Sequence, residues 1–187
     1  MSEGYRKIFW GIFIATFNIK IGIVKILPAF VGFIIISSGI NILIEETNIE
    51  SFKKAKRYSN YTGLLLFLGG VISLSGINLE ANILIQLSPI IYLILELLLF
   101  YKVFEGSIES LSREENTLEM VNEFISKQRF YTIASIIINL LLCIGITFNL
   151  GIQTFGAILL IIIRIFLMTS MSRLKKLYLE DENPEAN

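Results

Sequence analysis

The 187-residue chain is 54% hydrophobic, with a mean hydropathy of +0.70 and 16 basic residues balanced by 16 acidic ones. It has no histidine, one cysteine (Cys143) and one aspartate (Asp181). This excludes Ser-His-Asp and Cys-His catalysis, a His-rich metal site, an intramembrane aspartate dyad and an intrachain disulfide, and the zero net charge gives no signal for nucleic acid.

The charges gather between six apolar segments, roughly 8–19, 27–44, 61–77, 83–104, 131–148 and 154–172. Five are near or above the length needed to cross about 30 Å of hydrocarbon. The first comes after Arg6 and Lys7 without a small-x-small cleavage motif, so it reads as a membrane element and not as a removable signal. It is short, and Lys20, Gly22, Lys25 and Pro28 break the apolar pattern beyond it. A tilted or partly re-entrant helix fits that pattern, provided protein covers its backbone. Gly11 and Ala15 on this segment, and Gly69, Ser73 and Gly76 on the third, are small residues at helical spacing that let another helix approach closely. Trp10 and Tyr5, Tyr58, Tyr61, Tyr101 and Tyr131 fall near span ends, where interfacial anchors sit.

The second segment carries Ser37 and Asn41 four residues apart. The fourth carries Tyr92 and Glu96 at the same spacing, with Gln86 and Pro89 further along that side. On the fifth, Ser135, Asn139 and Cys143 recur every four residues and share one face. Arg164 stands alone in the sixth. A charge at mid-membrane costs about 3 kcal/mol on insertion scales, so neither Glu96 nor Arg164 is expected to face lipid. Glu96 lies six residues before Lys102 and Arg164 nine before Arg173, which puts the two within about one helical turn in depth. They are expected to pair. Glu96, Arg164, Asn139, Asn41, Ser37, Ser135 and Tyr92 together form the expected polar cluster, either interhelical bonding or a solute cavity.

Between the fourth and fifth segments, residues 105–129 are polar, and a separate cytoplasmic amphipathic connector helix is expected there. Ser112 with Glu115 fits a capping box, and Leu118, Val121 and Ile125 fall on one face opposite Glu114, Glu115, Glu119 and Glu123. Residues 178–187 read as a disordered acidic tail. Lys and Arg lie before the first segment, between the second and third, between the fourth and fifth, and after the sixth. By the positive-inside rule both termini are cytoplasmic, with Lys20 and Lys25 running against the rule. The wealth of Ile, Lys and Asn is a compositional association with AT-rich bacterial genomes, so a bacterial cytoplasmic membrane is expected.

The expected fold is therefore one all-α polytopic membrane domain over 1–187, a bundle of about six transmembrane helices. Similar turn motifs at 17–19, 77–79 and 148–150 suggest three tandem hairpins. The block "IFWGIFIATFNIKIGIVKILPAFVGFIIISSGI", residues 8–40, resembles the opening of uncharacterised small multi-pass membrane proteins of low-GC Gram-positive bacteria. It departs from them at Ala29, where an acidic residue is expected after the proline. In size and span count the chain is also similar to the S components of energy-coupling-factor transporters. That resemblance implies partner docking through small residues on the first helix, here Gly11 and Ala15. The proline-acid-basic signature of mitochondrial carriers is missing from all three helix pairs.

The function expected from these features is a solute-binding or transport-associated membrane component. The alternative is a scaffold or regulatory subunit that docks partners through its small-residue faces and segment 112–127. No enzyme activity, metal or cofactor is expected. The expected partners are the lipid bilayer, other membrane subunits and a small solute, with no nucleic acid.

Overall fold

Helices take up more of this chain than its apolar segments alone would claim. The computed structural model describes residues 1–187 apart from 18–19, 22–23, 26–27, 75–82, 115–116, 149 and 183–187. The described helices are α1 (Ser2–Thr16), α2 (Ala29–Thr47), α3 (Glu50–Leu74), α4 (Ile83–Leu111), α5 (Leu118–Phe148) and α6 (Leu150–Glu182). Between α1 and α2, β1 (Lys20–Ile21) pairs antiparallel with β2 (Val24–Lys25), Lys20 opposite Lys25.

Local chemistry explains several boundaries. Pro28, extended at φ −64° and ψ 145°, sits just before α2, where a residue without an N–H loses no helical bond. Asn48 ends α2 in the left-handed conformation (φ 53°, ψ 26°), and its N–H donates to the Ile44 carbonyl at 2.8 Å. Asparagine is one of the few side chains that tolerate this region. Only Asn48 and Ile49 therefore separate α2 from α3, and the Lys53–Arg57 cluster is helical.

Two sequence expectations are corrected. The separate connector helix over 105–129 does not form. Residues 105–111 finish α4 and 118–129 begin α5, with a turn between them. A stripe at helical spacing marks a helix but not whether that helix continues into the next apolar run. Ser112 does not cap a helix start, because its Oγ donates back to the Glu109 carbonyl at 2.8 Å. Glu115 lies outside the described residues, and Thr117 precedes α5, its carbonyl accepting from the Val121 N–H. The disordered tail expected from 178 is likewise corrected as far as Glu182, since α6 reaches that residue and Tyr178 is buried, and 183–187 lie outside the described residues.

Among the described residues, three stretches are long and apolar enough to cross a membrane: Ala29–Thr47, Leu118–Gly145 and Gly151–Leu179. Two of the other helices fall short for visible reasons. At 15 residues α1 reaches only about 22 Å, and four basic residues occupy the first third of α3. The outer faces of α5 and α6 are apolar. Ile133, Ile136, Ile137, Leu140 and Ile144 are exposed on α5, and Ile158, Ile161, Ile162 and Ile165 on α6. Exposed apolar stripes of that length mark a surface built for something other than water.

Each helix packs against the next, and α1 packs against α6, so the six close into a ring. Contacts at one end fix the alternation of direction. The Met1 amine pairs with Glu46, Arg113 donates to the Thr47 carbonyl, and Ser51 bonds Glu105. The N-termini of α1, α3 and α5 thus share an end with the C-termini of α2, α4 and α6, which gathers most of the basic residues there.

The closest seam is α1 against α2. Gly4 faces Gly39, and Gly11 faces Gly32. A Cβ on Gly11 would lie 2.6 Å from the Gly32 carbonyl oxygen, and one on Gly39 2.6 Å from that of Gly4. Backbone meets backbone here, a distance that only glycine allows.

At the basic end, burial pushes the Glu105 carboxyl up, but bonds from Lys102 at 2.6 Å and Ser51 at 2.8 Å outweigh it and hold the carboxyl below its usual range. A depressed folded value contributes stability above the unfolded value of 4.5 and loses it as pH falls through the folded one. Thermal unfolding scans should therefore show stability falling below about pH 4.5, and Glu105→Gln should flatten that decline.

Candidate functional site

The polar centre of the ring is an ion pair between α4 and α6. Arg164 Nε donates to Glu96 Oε1 at 2.8 Å and Nη2 to Oε2 at 2.6 Å, a bidentate arrangement with both carboxylate oxygens engaged. Arg164 Nη1 also reaches the Ala15 carbonyl on α1 at 3.3 Å. The pair thus joins three helices, with side-chain exposures of only 6% for Glu96 and 11% for Arg164. Charges so deeply buried are tolerable only when their bonding capacity is used.

Helix α5 supplies the rest. Tyr131 is buried, with its hydroxyl 3.4 Å from the Glu96 backbone carbonyl and its ring against Phe100 and Phe104. Ser135 and Asn139 come next on the same face, and both line a small cavity with Glu96, Leu93, Ile163 and Leu167. Its volume is about 10 Å3, enough for a single water. Tyr92, one turn before Glu96, is half-buried and within Coulombic reach of both charges. Cys143 is half-buried one turn beyond Asn139.

The expected single cluster is in fact two. Ser37 donates to Asn60 Oδ1 at 2.7 Å, while Asn41 donates to Glu45 and accepts from Lys56, both at 2.5 Å. These bonds form the α2–α3 seam, apart from Glu96. Position along a span predicts depth, and depth says nothing about which neighbour a side chain faces.

Small residues also sort into two groups. Gly11 and Ala15 are buried against Gly32 and Ile36 of the same chain, so the docking role implied by the transporter resemblance has no free surface there. Gly69 has nothing within 4 Å of where a Cβ would stand. Gly76 and the side chain of Ser73 lie outside the described residues.

Two tyrosines expected at the interface are core residues. Tyr5 and Tyr131 are 0% and 2% exposed. Tyr5 stacks on Tyr178 with centroids 5.7 Å apart, and its hydroxyl donates to Ser107 at 2.9 Å. The Tyr178 hydroxyl donates to Ser110 at 3.1 Å. Ser107 and Ser110 give no signal in the sequence beyond lying three apart near the end of α4. Below the ion pair, the basic end is therefore closed by aromatic rings whose hydroxyls are all bonded.

No family model, curated protein or solved structure matches this chain.

Proposed function

We propose that this chain is a six-helix integral protein of a bacterial cytoplasmic membrane, both termini cytoplasmic, that serves as a scaffold or regulatory subunit docking other membrane components. The observation that carries the reading is the saturation of its central ion pair. Both oxygens of Glu96 are bonded to Arg164, and the adjoining space has room for one water at most. Small-molecule sites run to roughly 300–1,000 Å3, far beyond this cavity. The orientation rests on the basic residues gathered at one end.

The surface available for a partner is the outer half of α3. Leu65, Leu68, Val71 and Ile72 are all exposed, and Gly69 and Gly70 lie open beside them. Native mass spectrometry after gentle transfer to lipid nanodiscs tests the reading. A stoichiometric membrane partner is expected, lost on Gly69→Leu. Recovery of the chain alone with a bound metabolite would contradict it.

A second reading, the solute-binding or transport-associated component, draws on Asn139. Its amide lines the cavity and has no bonded partner among the described residues. On that reading a metabolite would raise the melting temperature, and Asn139→Ala would abolish the rise.

A further inference from the structure

We propose that the groove between α2 and α3 binds a phospholipid, one acyl chain lying in the groove and an anionic head group held at its basic end. The inference rests on the membrane reading above and adds a ligand to it.

The groove has a volume of about 380 Å3 and is lined by Phe30, Phe33 and Ile34 of α2 and by Asn60, Gly63 and Phe67, among others, of α3. Gly63 opens it. A Cβ there would meet only the Phe33 Cβ at 3.4 Å and the Phe30 carbonyl at 3.9 Å, so the space above is free. Phe30 and Phe67 close the far end edge to face, 5.2 Å apart. Ser59, the polar residue on the floor, is satisfied by the Phe33 carbonyl at 2.9 Å. The walls therefore offer little but carbon to an occupant.

Toward the basic end the chemistry changes along the same face. Positions 53, 56, 57, 60, 63, 64 and 67 recur at intervals of three and four and form one helical stripe. Read in order, they are Lys53, Lys56, Arg57, Asn60, Gly63, Leu64 and Phe67: three cations, one amide, then an apolar trough. Asn60 uses its carbonyl to accept from Ser37, and its amide N–H groups bond to nothing among the described residues. Arg57 has no ion-pair partner among them, and Lys53 approaches Glu50 only at 3.9 Å. Glu45 and Glu50, the nearby carboxylates on α2 and α3, offset two of these three cations. The mouth stays net positive.

A site that is apolar in its depth and cationic at its mouth has the polarity of an anionic lipid. Basic pockets between helices at the cytoplasmic interface take such head groups.

Native mass spectrometry of the full chain, reconstituted in an equimolar mixture of phosphatidylcholine and phosphatidylglycerol with matched chains, tests this. One phosphatidylglycerol per chain is expected to survive detergent extraction in preference to phosphatidylcholine. Arg57→Gln should lower that preference about fivefold, the factor one cation near an anionic surface supplies. Gly63→Leu should abolish retention of both lipids by filling the trough. Inorganic phosphate should neither be retained nor compete. Because Arg57 is exposed, its variant reports even if Gly63→Leu folds poorly. Equal retention of the two lipids, retention unchanged in Arg57→Gln, or a second protein chain seated in place of lipid would overturn the proposal. Failure of the chain to co-float with vesicles would instead remove the membrane reading itself.

Discussion

Glu96→Gln is expected to destabilise the protein by about 3 kcal/mol, and adding Arg164→Met should return most of that loss. The carboxylate accepts two charge-assisted bonds from Arg164, and an amide can accept only one, from an arginine left uncompensated. Beyond that bond, the arginine keeps its 3.3 Å contact with the Ala15 carbonyl. Its side chain is only 11% exposed, which gives it little water to recover. Methionine removes the charge and fills much of the volume with flexible apolar atoms. Equilibrium unfolding of the single and double variants in mixed micelles reads both effects. A double variant that folds well and yet fails in the cell would show that the pair does more than hold helices together.

The second large effect is expected at the α1–α2 seam. Gly11→Leu or Gly32→Leu should prevent folding or cost at least the roughly 1–3 kcal/mol typical of overpacking. The obstacle is backbone, not a movable side chain: the Gly32 carbonyl stands 2.6 Å from a Cβ on Gly11, and the Gly11 carbonyl 2.5 Å from one on Gly32. Relief would require the two helices to separate along their length, opening Gly4 and Gly39 as well. Gly69→Leu is the control. With nothing near its Cβ, it should change stability by no more than about 0.5 kcal/mol. Thermal unfolding of the purified variants checks the contrast.

The features legible in the sequence are those set by depth. The apolar runs locate the helices, and counting back from Lys102 and Arg173 puts Glu96 and Arg164 at matching levels, where the structure joins them. Azimuth is not legible. Ser37 and Asn41 share that general depth but turn toward α3, and Tyr5 and Tyr131 sit near span ends yet point into the ring. The glycine seam leaves a trace in the seven-residue spacing of Gly4 with Gly11 and of Gly32 with Gly39. That spacing acquires meaning only when the two helices are known to run antiparallel. Helix continuity is the other gap. The basic start of α3 and the polar end of α4 look like loops because charge marks where lipid ends, not where a helix does.

The saturated pair is what separates a sealed bundle from a solute site, so its coupling energy is the measurement to make. Unfolding free energies of the wild type, Glu96→Gln, Arg164→Met and the double variant in one lipid system define the cycle. A sealed clamp predicts a coupling above about 1.5 kcal/mol, toward the upper part of the range for bonded neighbours. Additivity within about 0.5 kcal/mol would mean that the two charges do not hold each other, and would contradict the account.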